Sequence, residues 1–172
     1  MQKSIDNTNT KIDNVKTALH NQLTCSTLEG IFRLPKYRQV EKQMTEEAMA
    51  LLKVFDLDGE ADTLAANLPY GKQRKLEIAR AMATNPKLLL LDEPAAGMNP
   101  QETIELGAFI KNIKEKYNLT VLMIEHHMDL VMKISDYIYV IDFGSEIARG
   151  VPKEVQQNKR VIEAYLGVTE DE

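Results

Sequence analysis

The chain has 172 residues, 44% of them hydrophobic and 27% charged, with 21 basic against 26 acidic side chains. Those proportions support the packed core of one domain, or one and a half, and exclude a disordered chain, a collagen-like repeat and a disulfide mini-protein. The net charge of -5 argues against a general nucleic-acid binder, but not against a phosphate ligand, which a few well-placed groups can hold.

No stretch approaches the roughly 20 apolar residues that cross a bilayer. The polar start, MQKSIDNTNTKIDN, has no apolar signal segment. A single cysteine, Cys25, cannot pair within the chain. These features lead to the expectation of a cytoplasmic protein that can still dock on a membrane partner.

In chain order, residues 1–14 are expected to form a poorly ordered lead-in, followed by a short helix from Val15 to Leu23. Residues 24–34 are ambiguous and Pro35 marks a break. Val40, Met44, Ala48, Leu51, Leu52 and Phe55 are spaced 4, 4, 3, 1 and 3, one face of an α-helix. Glu41, Lys42, Glu46, Glu47 and Lys53 fill much of the other face. A polar connection follows from Asp56 to Asp62, then a helix over about Lys72 to Thr84, closed by Asn85-Pro86.

Beyond this point the pattern changes. Leu88 to Leu91 is an apolar run stopped by Asp92-Glu93-Pro94, which reads as a buried parallel strand. A helix after Pro100 carries Ile104, Leu106, Phe109, Ile110 and Ile113 as its apolar set. Thr120 to Ile124 reads as a second buried strand, ending at Glu125-His126-His127, and a short helix then carries Leu130, Val131 and Ile134. Tyr137–Ile141 and Glu146–Ala148 flank the turn Asp142-Phe143-Gly144-Ser145. One or two helices occupy Pro152 to Leu166, and the acidic TEDE end is expected to fray. Strand, helix and strand from Leu88 to Ile124 form a βαβ unit, so the sheet is partly parallel.

In such sheets ligands bind outside the carboxyl ends of the strands. Both apolar strands end there in titratable residues. One carboxylate at a strand end can hold Mg²⁺, and the next can orient or deprotonate a water that attacks a phosphoryl group. His127 is expected to be a solvated surface histidine and His20 a surface residue. Cys25 is read as a structural thiol, and Met44, Met82 and Met123 as packing residues.

The segment LPYGKQRKLEIARAMATNPKLLLLDEPAAGMNP, followed by VLMIEHHMD, resembles the nucleotide-binding subunits of ABC transporters. Leu68 to Arg74 sits where that family has its signature loop. Leu88 to Glu93 looks like the Walker B strand, Gly97-Met98-Asn99-Pro100 like the D-loop, and His126 like the switch histidine. The resemblance covers roughly residues 14–168. The signature tyrosine, the AAGMNP loop and the VIEAYLG ending look most like importers of branched-chain amino acids, of the subunit type with the longer helical insertion.

The resemblance implies an α/β fold: the C-terminal part of a P-loop NTPase (RecA-like) core with a preceding α-helical subdomain. Residues 15–85 would be that subdomain with its signature helix, and residues 86–172 the partial catalytic core. It implies ATP and Mg²⁺ as cofactors. Asp92 would contribute to Mg²⁺ binding, Glu93 would be the general base, and His126 would contact the γ-phosphate. Asn99 would lie at a dimer interface. Gly71, Lys72 and Gln73 would belong to a signature loop that caps the ATP of an opposite subunit, with helix N-terminal amides facing the anion. Transmembrane permease subunits and a second ATP-binding subunit would be the partners, and the location would be peripheral on the inner face of the plasma membrane.

Two signature positions depart from the family pattern: Pro69 stands where a serine is usual and Lys72 where a glutamine is usual. A P-loop, G-x-x-x-x-G-K-[ST], is absent. The pair Gly71-Lys72 is followed by Gln73, and Ala66 takes the place of the first glycine. The sequence therefore leads to the expectation of an N-terminally incomplete cassette that does not hydrolyse ATP alone. A separate chain would supply the P-loop half. The competing readings are a truncated, non-hydrolysing interaction module and a regulatory domain that reuses the fold.

Overall fold

The structure, a computed structural model, describes residues 5–19, 35–59 and 61–166. His20, Cys25 and the TEDE end lie outside the described residues, as does the end of the helix expected up to Leu23. The chain divides into two compact units: Met1–Leu90 with Asn118–Leu122, and Leu91–Tyr117 with Met123–Glu172. This division falls inside the strand that starts at Leu88.

The first unit is built on three helices, α1 (Lys11–Leu19), α2 (Pro35–Val54) and α3 (Tyr70–Met82). α1 begins four residues earlier than expected, within the segment read as a lead-in. Thr10 and Asp13 explain the start: the Asp13 N–H donates to Thr10 Oγ1 at 3.2 Å, and that hydroxyl donates to Asp13 Oδ2 at 2.7 Å. This satisfies an otherwise orphaned donor of the first turn. The fully buried Asn14 amide organises the residues ahead of it. Its Oδ1 accepts from the Asp6 N–H at 2.7 Å, and its Nδ2 donates to the Asp6 carbonyl at 2.9 Å.

α1 packs against both α2 and α3. The apolar spacing read on α2 finds its buried face in Met44, Ala48 and Leu52, with Phe55 closing the helix end without exposure, while Val40 and Leu51 of the same set are half-buried. Val15, Leu57, Ala65 and Leu76 complete this core. Burying each large side chain contributes about 1.5–3 kcal/mol. Glu41, assigned to the polar face, is half-buried and pairs with Lys16 of α1. Lys11 is buried at 1% exposure, and its Nζ donates to the Gly59 carbonyl.

Strands β1 (Leu88–Asp92) and β2 (Thr120–Ile124) are hydrogen-bonded neighbours in a two-stranded sheet. The Thr120 N–H donates to the Lys87 carbonyl where both strands start, and the Glu93 N–H to the Ile124 carbonyl where both end. The strands are therefore parallel, joined by α4 (Pro100–Tyr117) as a βαβ unit requires. The expectation of buried strands is corrected. Leu89 is buried, but Leu88, Leu90, Leu122 and Ile124 are 50–66% exposed. Successive strand residues point to opposite faces, and only one face of this sheet is covered among the described residues.

In the second unit α4 packs against α5 (Met128–Ile134). Gly107 permits the approach, since a Cβ there would lie 2.6 Å from Leu130 Cδ1. Leu106, Ile110 and Ile113 are buried as expected, whereas Ile104, counted in the same apolar set, is 52% exposed. β3 (Ile138–Asp142) and β4 (Ser145–Gly150) form the expected antiparallel hairpin. Its two turn residues, Phe143 and Gly144, both have positive φ (43° and 78°), the geometry that matches the twist of hairpin strands. α6 (Pro152–Gln156) and α7 (Lys159–Val161) follow, and Ile138, Val140, Val155 and Val161 form one buried cluster.

Candidate functional site

The end of β1 and the end of β2 bring Asp92, Glu93, Glu125, His126 and His127 onto one edge of the sheet. Glu93 follows the last residue of β1, and its N–H extends the ladder to the Ile124 carbonyl at 2.9 Å. Its φ is +43°, a left-handed conformation that costs a non-glycine residue about 1–3 kcal/mol and persists only where neighbours enforce it. Glu93 Oε1 lies 3.7 Å from His126 Nδ1, and both side chains are more than half exposed. In solvent such a pair contributes less than about 1 kcal/mol. The arrangement leaves both groups accessible to a ligand. Asp92, the last residue of β1, is exposed, and among the described residues no hydrogen bond or ion pair engages its carboxylate. A hard, uncommitted carboxylate of this kind suits Mg²⁺, which is held by one or two carboxylates plus phosphate oxygens and water.

Glu125 is the residue that sequence reasoning left without a role. Its side chain has no exposure. Oε1 accepts from the Ala95 N–H at 2.8 Å, and Oε2 accepts from the His126 and His127 N–H groups at 3.1 and 3.3 Å. His127 Nδ1 lies 2.8 Å from the same oxygen. Burial pushes the Glu125 carboxyl up. The bonds from the His127 ring and the Ala95, His127 and His126 amides outweigh burial and hold it below the usual carboxylate range. His127, expected to be solvated, is half-buried and bonded instead, because a buried acid needs donors. The two imidazoles stand with ring centroids 4.3 Å apart. The carboxylate and imidazole atoms of Glu125, His126 and His127 lie within 4.8 Å of one another, but Glu125 is already saturated by donors. The sequence signal for Glu125 was an acid at the strand end directly before His126.

Asn99 caps α4 reciprocally with Glu102. Asn99 Oδ1 accepts from the Glu102 N–H at 2.9 Å, and Glu102 Oε2 accepts from the Asn99 N–H at 3.0 Å. The Asn99 side chain therefore has a local structural task.

Gly71, Lys72 and Gln73 belong to the first unit, in the first turn of α3. Pro69 takes the N-cap position and provides no side-chain cap. The Gln73 N–H bonds the Pro69 carbonyl at 3.0 Å, and its side chain folds back to the Leu68 carbonyl at 2.8 Å. Lys72 is exposed. The Tyr70, Gly71 and Lys72 amides are the first-turn donors that no side chain caps, as an anion-facing helix end requires.

A family model for ABC transporters matches residues 2–96, and one for branched-chain amino acid ATP-binding cassette transporters matches residues 146–171. The chain is 46% identical over 158 residues to the high-affinity branched-chain amino acid transport ATP-binding protein BraF of Pseudomonas aeruginosa, and 45% identical over 158 residues to its counterpart LivG of Escherichia coli. Each match covers 92% of this chain but only 62% of the relative's length. A crystal structure of an ATP-binding cassette of an ABC transporter in its ADP conformation superimposes with a TM-score of 0.75 at 31% identity, covering 94% of this chain and 64% of that one. The fold is that of a partial ABC ATPase cassette. On the family match over more than half its length, this chain belongs to the ABC transporter family.

Proposed function

We propose that this chain is the later part of the ATP-binding subunit of an ABC importer for branched-chain amino acids, coupling ATP hydrolysis to transport. The observation that carries this reading is the cluster at the strand ends. Glu93 is held at positive φ with its Oε1 3.7 Å from His126 Nδ1, directly after the uncommitted Asp92 that ends β1. The similarity to BraF and LivG supports the substrate class.

When bound, Mg-ATP supplies the electrophilic γ-phosphorus and its leaving group. Asp92 holds the metal. Glu93 accepts the proton of the attacking water, and its exposure leaves room for that water. His126 contacts the γ-phosphate through its ring and fixes the line of attack. The Tyr70–Lys72 amides at the start of α3 face the triphosphate of an opposite subunit, with Lys72 adding positive charge where Pro69 has neither hydroxyl nor N–H to offer. Asn99 lies at the interface of the two subunits. The P-loop comes from outside these 172 residues, which hold no G-x-x-x-x-G-K-[ST]. Permease subunits receive the helical subdomain, at the cytoplasmic face of the membrane. Among the described residues no helix is long and apolar enough to cross it.

The test is to assemble the chain with a polypeptide carrying the P-loop half and to measure ATP hydrolysis. Turnover is expected only in the assembly, and the chain alone is expected to bind Mg-ATP more weakly than micromolar. Glu93→Gln should lower turnover by about 100-fold or more while nucleotide still binds. Equal turnover in that variant removes Glu93 as the base. Micromolar binding by the chain alone removes the need for a second half.

A further inference from the structure

Glu125 combines three features that a surface acid after a strand does not need. Its side chain is fully buried, it has no lysine or arginine partner among the described residues, and its two oxygens divide their donors between two loops. Oε1 holds the Ala95 N–H, two residues beyond Glu93. Oε2 holds the His126 and His127 N–H groups and the His127 ring. With an ionised acceptor in that bond, His127 carries a proton on Nδ1. One carboxylate therefore fastens the loop after β1 to the loop after β2. The Glu93 N–H to Ile124 carbonyl bond is a second fastening one step away. Glu93, in its left-handed conformation, lies between the two, facing His126.

All four donors are N–H groups, so only an acceptor-only side chain satisfies them. Glutamine would put its amide N–H₂ against one of these donors, and aspartate would be a methylene too short to reach both loops. Buried as it is, Glu125 touches no ligand and acts only through the residues it holds.

We propose that Glu125 is a positioning residue for hydrolysis: its carboxylate sets the separation of Glu93 and His126, and loss of that acceptor slows the chemical step without weakening nucleotide binding. This rests on the hydrolytic reading above. The experiment uses the full chain assembled with its P-loop half, and compares wild type, Glu125→Gln and Glu125→Asp in single-turnover hydrolysis of Mg-ATP per bound nucleotide. A misplacement of about 1 Å at reacting groups costs up to about 100-fold. The expected result is a loss of roughly 10- to 100-fold in the single-turnover rate for Glu125→Gln, a smaller loss for Glu125→Asp, and KM for ATP within about twofold of wild type. Counting per bound nucleotide removes any misfolded fraction, and Glu125→Asp keeps the charge should Glu125→Gln fail to fold. Unchanged rates in both variants overturn the proposal and leave the hydrolytic reading standing, as does a rise in KM with no loss of rate. An assembly in which the wild type itself hydrolyses nothing overturns both.

Discussion

The helical residues of the first unit and the strands of the chain treat the same kind of side chain in opposite ways. On α2 the inner-face residues Met44, Ala48 and Leu52 are buried, as is Phe55 just past its end, and Leu51 is half-buried. On the strands the apolar residues alternate. Leu89, Ile138 and Val140 are buried, while Leu90, Ile124, Tyr139 and Ile141 are 58–66% exposed. A helix needs one apolar stripe covered, and α1 and α3 suffice for α2. A sheet has two faces, and strands that are apolar on both need a layer on each. The helical region covers its own apolar stripe with helices of the same unit. The strands present apolar surface of the kind that marks an interaction site, which in the proposed reading meets the other half of the cassette.

Four experiments can break or sharpen that contrast. The largest effect is expected in the helical core: Phe55→Ala should cost about 3–5 kcal/mol in denaturant unfolding, since the ring is wholly buried. A loss below 1 kcal/mol would mean that α2 is not packed as described. Next comes Lys11→Met, which removes the donor to the Gly59 carbonyl and should cost about 1–3 kcal/mol by the same measurement.

The third concerns pH. The folded carboxyl of Glu125 is held below its ordinary value of 4.5. Its contribution to stability is complete above that value and is lost as pH falls through the folded one. Acid titration of unfolding free energy should therefore drop more steeply below pH 4.5 in wild type than in Glu125→Leu. Parallel curves would show that the carboxylate's bonds are not formed in solution. The smallest effect is expected for Leu90→Ala on its exposed strand face, within about 0.5 kcal/mol in the chain alone. The same substitution should cost several times more in the assembly with the P-loop half. Equal costs in both settings would mean that the exposed face stays bare.

Local signals mark much of the candidate site. The run Leu88–Leu91 broken by Asp92-Glu93, and the strand Thr120–Ile124 broken by Glu125-His126-His127, place acids and imidazoles at strand ends. The hairpin turn at Phe143-Gly144 was equally legible, because two residues at positive φ between alternating strands is a local requirement. The start of α1 was missed although its sign was present. Thr10 and Asp13 stand three apart in a stretch whose polarity suggested disorder, and the cap outweighs composition there.

By itself, then, the sequence determined the elements, the parallel βαβ unit and which residue types meet at its edge, since periodicity and strand-end chemistry are short-range properties. Only the tertiary structure decided which of those residues work as a set. Glu125 and Ala95 are 30 residues apart, and nothing local relates them. The bond forms because β1 and β2 are neighbours in register, and burial then obliges the carboxylate to collect every donor within reach. The same pairing decided which leucines of β1 are covered, because exposure depends on the layers around a sheet and not on the strand's own residues.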